Sequence, residues 1–251
     1  MLKKIVIIPT FNEIENIEKI IRKVFSLEEE FHILIVDDGS PDGTADMVKK
    51  LQIEFAGTLF LIQRAAKQGL GTAYIAGFKW SIAREYDYIF EMDADFSHNP
   101  NDLIRLYKEC HEGGADMSVG SRYVKNGRVE NWPLNRILIS YGGSVYVRLI
   151  TWLPVKDCTA GFVCYKRKVL ETISLDNVRY IGYAFQIEMK YAVWSSGFKI
   201  KEVPITFKDR VRGMSKMSTK IFKEAFWGVL QIRKNTLFNK FYYKAISSIS
   251  S

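Results

Sequence analysis

Asp93 and Asp95 stand one residue apart, directly after the apolar, β-branched and aromatic run Tyr88-Ile-Phe-Glu-Met92. Such a run reads as a buried strand, so its end delivers both carboxylates to one place. There they repel each other, and each costs free energy to desolvate unless a cation lies between them. Mg²⁺ or Mn²⁺ suits the arrangement: a hard divalent ion takes one or two carboxylates and completes its shell with water and substrate phosphate. Taken alone, Asp-x-Asp is more often two solvated aspartates capping a turn. The surroundings decide between these readings.

The elements that would position the pair follow a regular order. Lys3–Ile8 is a short β-branched run stopped by Pro9, and Glu13–Phe25 repeats apolar residues at 14, 17, 20/21 and 24, a helical face. His32–Val36 is a second strand. It ends in Asp37-Asp38-Gly39-Ser40-Pro41-Asp42-Gly43-Thr44, dense in turn formers, before a helix to about Gln52. Leu59–Gln63 is a third strand; Gly69-Leu-Gly71-Thr-Ala73 leads into a helix to about Tyr86, and Asn99-Pro100 opens another after the acidic pair. Strands alternating with helices predict a single α/β domain with a mainly parallel central sheet. In such sheets ligands sit beyond the strand C-termini, and the loops 9–13, 37–44, 67–73 and 93–98 all fall at that edge. Their coincidence lifts Asp93 and Asp95 above a capping role.

Farther on, Asp116–Ser121 reads as a fifth strand, followed by the polar loop Arg122–Arg128. Leu134–Leu153 is nearly all apolar, aromatic or small: a core helix, the commoner case, or one lying on a membrane surface. Asp157-Cys-Thr-Ala-Gly-Phe162 is a second acidic loop before a strand at Phe162–Tyr165, and Phe185–Ser196 a helix. Lys199–Phe207, interrupted by Pro204, reads as one edge strand. The basic loop from Asp209 to Lys216 precedes a last helix over Thr219–Phe238.

Composition bounds the function. The 251 residues are 47% hydrophobic and 14% aromatic, which excludes disorder. Cys110, Cys158 and Cys164 show no zinc-type spacing and fit a reducing cytoplasm. No run is long and apolar enough to span a membrane, and the N-terminus does not read as a signal peptide. Residues 1–200 hold 25 basic and 25 acidic residues, whereas 201–251 hold 11 and 3, so the whole net charge of +8 lies in the last fifth. A basic end admits nucleic acid, anionic lipid or phosphate-bearing substrates. Nucleic acid is the weakest of these, since no recognition motif accompanies the charge.

Val6-Ile-Ile-Pro9-Thr-Phe-Asn-Glu13, Val36-Asp-Asp38-Gly-Ser-Pro-Asp-Gly-Thr44 and Gly69-Leu-Gly-Thr-Ala73 resemble the nucleotide-sugar-binding half of inverting family 2 glycosyltransferases. Met92-Asp-Ala-Asp95-Phe-Ser-His98 looks like their metal motif. Gly120-Ser-Arg-Tyr123, Asp157–Phe162 and Phe207–Lys216 look like the dolichyl/polyprenyl-phosphate mannose synthases. The resemblance spans roughly residues 4–217 in order. It departs at Phe11, where tyrosine is common, and at Ser97, where some relatives carry glutamine.

The resemblance implies a GT-A-like domain over 1–217, with 218–251 an amphipathic basic helix and tail rather than a second domain. It implies transfer of a hexose, foremost mannose from GDP-mannose, to a polyprenyl or dolichyl monophosphate at a cytoplasmic membrane face. The alternatives are a UDP-sugar donor such as UDP-glucose, or a non-catalytic nucleotide-sugar or membrane-binding subunit; a helper membrane subunit is a further expected partner. Asp93 and Asp95 would hold Mg²⁺ or Mn²⁺. Pro9, Phe11, Glu13, Val36, Asp38, Gly69, Ala94 and Lys216 would bind the donor, with Gly71 beside Gly69 allowing close backbone approach or simply serving a turn. Arg122 and Arg136 would take the acceptor phosphate, and Arg210 would join Asp93, Asp95 and Arg122 in the reaction, arginine being suited to phosphate by its bidentate fork. Asp37 reads as a turn cap, His98 as a turn histidine, Arg128 and Arg212 as solvated, and Asp157 as either an acceptor-side carboxylate or a loop cap.

Overall fold

Lys4–Thr10 (β1) is buried along almost its whole length, as a strand covered on both faces must be. The computed structural model describes residues 2–209, 219–238 and 242–243, of which 183, 219–225 and 236–238 are described by their backbone alone. His32–Asp37 (β2), Leu59–Gln63 (β3) and Tyr88–Glu91 (β4) run parallel to β1, with Thr10 opposite Asp37 and Ile7 opposite Glu91. Their crossovers are the helices Ile17–Phe25 (α1), Thr44–Glu54 (α2) and Leu70–Ile82 (α3). After Asp102–His111 (α4) come Met117–Ser121 (β5), the short Arg128–Glu130 (β6), Leu134–Thr151 (α5), Val163–Lys166 (β7) and Arg167–Thr172 (α6). Tyr183–Ser195 (α7), Ile200–Pro204 (β8), Thr206–Lys208 (β9) and Thr219–Phe238 (α8) complete the order.

The central sheet runs β3-β2-β1-β4-β7-β5-β8. Only β7 is antiparallel to its neighbours, β4 and β5. Apolar residues fill both faces: Tyr74, Phe78, Phe185 and Tyr191 on one, Ile17, Ile20, Leu103 and Leu106 on the other. Each such side chain contributes about 1.5–3 kcal/mol on burial. Winding proceeds from β1 outward through β2 to β3, then reverses to β4 on the far side of β1. The crevice beyond the C-terminal ends of β1 and β4 is therefore the topological switch point, where open α/β sheets bind ligands. Asp93 and Asp95 emerge there.

Three expectations change. Lys199–Phe207 is two strands, not one: β8 forms the sheet edge through Pro204, and β9 leaves it to pair with β6, Val129 opposite Phe207. The core placement of α5 does not hold, because only Ser144, Val147 and Thr151 of its residues are buried, while Leu138 and Leu149 are 70% and 71% exposed. The amphipathic basic helix expected from residue 218 turns Val229 and Ile232 of α8 into the core and leaves Phe226 outside with Trp227. α8 and Tyr243 thus complete the same core: Tyr243 is buried and donates from its hydroxyl to Glu188 Oε1 at 3.0 Å.

Candidate functional site

β4 ends at Glu91, and the chain turns sharply through Asp93–His98 with Phe96 at φ +60°. The Asp93 N–H donates to His98 Nδ1 at 3.3 Å and the Ser97 N–H to Asp95 Oδ1 at 3.0 Å. His98 stacks on Phe162 with centroids 4.8 Å apart and meets Phe207 edge-on. Burial pushes its pKa down to about 4, and Nδ1 is already an acceptor, so the ring is neutral with its proton on Nε2. His98 pins the acidic turn to the core as a neutral ring.

Both carboxylates are partly exposed. Asp93 is 39% exposed, and Tyr74 is buried beside both it and Asp95, its hydroxyl held well above the usual phenol range by burial and by those charges. Ser97 Oγ is buried without a hydrogen-bond partner among the described residues. Those residues contain no cluster of three or more His, Cys, Asp and Glu side chains able to enclose an ion. Two partly exposed carboxylates, both hard oxygen donors, fit Mg²⁺ or Mn²⁺ completed by water and phosphate; they do not fit the closed N/S shell of a structural zinc.

The donor-side residues divide. Pro9 and Phe11 lie at the crevice end of β1, with Lys67 Nζ 4.5 Å above the Phe11 ring. Asp38 is buried and accepts from Arg64 Nε at 2.6 Å and from the Gln68 N–H at 3.4 Å. Arg64 also donates to Thr72 Oγ1 at 2.8 Å, tying the β2 and β3 loops to α3. Asp37 receives the Gly39 and Ser40 N–H groups and the Thr10 and Ser40 hydroxyls, a turn cap as expected. Glu13 holds the entry to α1: its N–H donates to Thr44 Oγ1 and its carboxylate accepts from Asn16. Val36 and Ala94 do not line the crevice with their side chains, which pack in the two cores. Gly69, at φ +102°, precedes α3. At Gly71 a Cβ would meet Tyr180 O at 2.7 Å and Phe185 Cδ2 at 2.8 Å. The close approach these glycines allow is to the segment leading into α7.

The arginines change most. Arg122 is buried and turned onto Asp157: its N–H and Nε donate to Oδ2 at 2.9 and 2.8 Å, and Nη2 to Oδ1 at 2.6 Å. Nη2 also reaches Thr159 Oγ1 at 2.9 Å, and the guanidinium lies near the Tyr123, Trp132 and Phe207 rings. Its fork is filled by a carboxylate where a phosphate was expected. Arg136 is drawn the same way onto Asp209, at 3.0 and 3.1 Å, and stacks on Trp132. Asp157 is therefore the partner of Arg122. Arg210, Arg212 and Lys216 lie outside the described residues.

Sequence reasoning passed over Arg64, Lys67, Glu91, Gln186 and Lys190. Arg64 sits one residue past β3, at the crevice edge; Glu91 is the single charge of β4, and α7 carries two buried charges, Glu188 and Lys190, among apolar neighbours. That last signal was legible. An open cleft of ≈ 500 Å³ between α4 and β8, lined by Arg105, Lys108, Glu109, Glu112, Glu202 and Pro204, contains none of the predicted site residues.

Comparison with known proteins is consistent with this geometry. The model of glycosyl transferase family 2 matches residues 5–174. A polyprenol monophosphomannose synthase of Mycolicibacterium smegmatis is 44% identical over 90% of this chain and 87% of its own length. An undecaprenyl-phosphate mannosyltransferase of Micrococcus luteus is 42% identical over 91% and 95%. Among solved structures, glucosyl-3-phosphoglycerate synthase from Mycobacterium tuberculosis, in complex with Mn²⁺, UDP and glucosyl-3-phosphoglycerate, superposes with a TM-score of 0.63 at 16% identity, covering 95% of this chain and 80% of that one. This last likeness concerns the fold.

Proposed function

Because the chain belongs to glycosyl transferase family 2, we propose that it transfers mannose from GDP-mannose to a polyprenyl monophosphate, with inversion, at the cytoplasmic face of a membrane. The observation that carries this is the open Asp93/Asp95 turn at the sheet's switch point, in a chain 44% and 42% identical to enzymes named for mannose transfer to lipid phosphates. Mg²⁺ or Mn²⁺ held by Asp93 and Asp95 would offset charge on the leaving diphosphate. Phe11 and Lys67 offer an aromatic face and a cation at the nucleoside end, and Arg64 fixes the Asp38 loop around it. An acceptor phosphate oxygen, anionic near neutral pH, attacks C1 directly as the bond to the diphosphate breaks. That step needs no strong general base, in keeping with a neutral, buried His98. Arg210 and Lys216 are assigned to the phosphates, and Arg136 holds Asp209, the residue before Arg210.

Transfer to a short-chain polyprenyl phosphate, measured with GDP-mannose and UDP-glucose in parallel, tests the reading. GDP-mannose should give the higher kcat/KM. Preference for the UDP-sugar, or transfer only to water, overturns it.

The acceptor's hydrocarbon tail requires a bilayer nearby, and no helix among the described residues is long and apolar enough to cross one. The outer face of α5 supports peripheral attachment: Leu134, Leu138, Leu149 and Trp152 are exposed along it, and Trp227 of α8 is exposed on the helix packed beside it. Burying such side chains in the headgroup region contributes apolar area that the folded chain leaves in water. Deleting 218–251 would remove Val229, Ile232 and Tyr243 from the core, so point changes are the sound test. Leu138→Glu/Leu149→Glu is expected to lower recovery with anionic vesicles in flotation at least fivefold, a loss of about 1 kcal/mol, without changing the melting temperature. Unchanged recovery removes α5 from the membrane.

A further inference from the structure

Lys190 is 0% exposed, inside α7. Burying an ammonium costs several kcal/mol unless its protons are satisfied, and here each has a carbonyl: Nζ donates to Ala160 O at 2.6 Å, Gln186 O at 3.2 Å and Gln186 Oε1 at 3.3 Å. Gln186 Nε2 in turn donates to Glu91 Oε2, and Tyr165 donates to Glu91 Oε1 at 2.8 Å. Glu91 is likewise 0% exposed. The charges of Glu91 and Lys190 are thus joined through one glutamine amide rather than placed in contact.

What the bridge connects is specific. Glu91 ends β4, two residues before Asp93. Ala160 belongs to the loop between α5 and β7, the same loop whose Asp157 accepts three hydrogen bonds from Arg122. That loop joins the sheet ladder only at Val163, and Lys190 holds the Ala160 carbonyl ahead of it. An apolar side chain would fill the same volume and hold nothing. A point charge with three rotatable donors can grip a loop carbonyl and a helix at once.

We propose that Lys190, acting through Gln186 and Glu91, is a positioning residue that sets the Asp157–Gly161 loop against the strand end bearing Asp93 and Asp95. The inference rests on the transferase reading for its kinetic consequence, not for its structural one. Lys190→Met leaves the Ala160 carbonyl and the Gln186 amide oxygen without their buried donor, and by itself threatens the fold. Glu91→Gln/Lys190→Met removes both charges at nearly constant volume, a change that is often neutral for stability.

The test uses the full chain. The double variant should melt within a few degrees of wild type while kcat falls about 10²-fold, the cost of roughly 1 Å of misplacement. KM for the donor should move less than about threefold, because the lost interaction belongs to the reacting geometry and not to ground-state binding. Amide hydrogen exchange of residues 158–162 should accelerate in the same variant. A double variant with wild-type kcat, or with wild-type protection across 158–162, overturns the inference and reduces Lys190 to a tolerated buried charge. Absence of mannosyl transfer by the wild-type chain overturns the transferase reading instead, and the exchange comparison then still decides the role of Lys190.

Discussion

Replacing Asp93 by Asn is expected to lower mannosyl transfer about 10³-fold or more, equivalent to some 4 kcal/mol of lost transition-state stabilisation, with the fold intact. The two halves of that expectation have separate causes. Asp93 is 39% exposed at the switch point, so the neutral amide, which is nearly isosteric, disturbs no core packing. The Asp93 N–H donates to His98, a bond the substitution leaves alone. What is lost is one negative charge where a divalent ion and a diphosphate must be held together. Asp95→Asn should cost a similar factor, since Oδ1 can still accept the Ser97 N–H and the turn survives. The measurements are kcat/KM at fixed free Mn²⁺ alongside Mn²⁺ affinity by electron paramagnetic resonance. Retention of a tenth of wild-type activity by either variant, or full wild-type activity in excess EDTA, would falsify the assignment of these carboxylates to a metal.

Much of this site could be read before any coordinates, and what could not has a common cause. The four parallel strands β1–β4 announce themselves locally, through β-branched runs ended by Pro9, Asp37-Asp38, Gln63 and Asp93. Parallel winding then places all four loop ends on one edge without further information. Asp37 was legible as a cap because its partners, Gly39 and Ser40, lie within three residues. Arg122 was not: its partner is 35 residues away, across an intervening strand and helix. Periodicity carries no trace of such a pairing. The same holds for β7, whose antiparallel insertion between β4 and β5 depends on a chain reversal through α5 and the Asp157 loop. α5 misleads for a different reason. An all-round apolar helix signals that something covers it, and composition cannot say whether that cover is the protein's own core or a bilayer.

Arg122 and Asp157 carry the second large effect, and it is an effect on stability. Both are buried, and three hydrogen bonds of 2.6–2.9 Å join them. The attraction repays the desolvation of two charges only while both partners are present. Arg122→Ala should therefore cost about 3–5 kcal/mol, since it leaves Asp157 buried and uncompensated, or roughly 10 °C in melting temperature at 2–4 °C per kcal/mol. Arg122→Lys keeps the charge but not the fork, and should lose part of that stability before it loses kcat/KM. This reverses the expectation drawn from the resemblance, in which the fork served phosphate. The pH dependence supplies an independent reading. Burial pushes the Asp157 carboxyl up, but the Arg122 charge and hydrogen bonds outweigh it and hold the group below the usual carboxylate range. A depressed folded-state pKa gives stability that is complete above the unfolded value near 4 and is lost as pH falls through the folded value. Wild type should therefore lose stability on acidification below about pH 4 more steeply than Asp157→Asn, whose cost is already present at neutral pH. If Arg122→Lys instead melts with wild type and loses kcat/KM, the guanidinium is meeting substrate phosphate after all, and Asp157 only orients it.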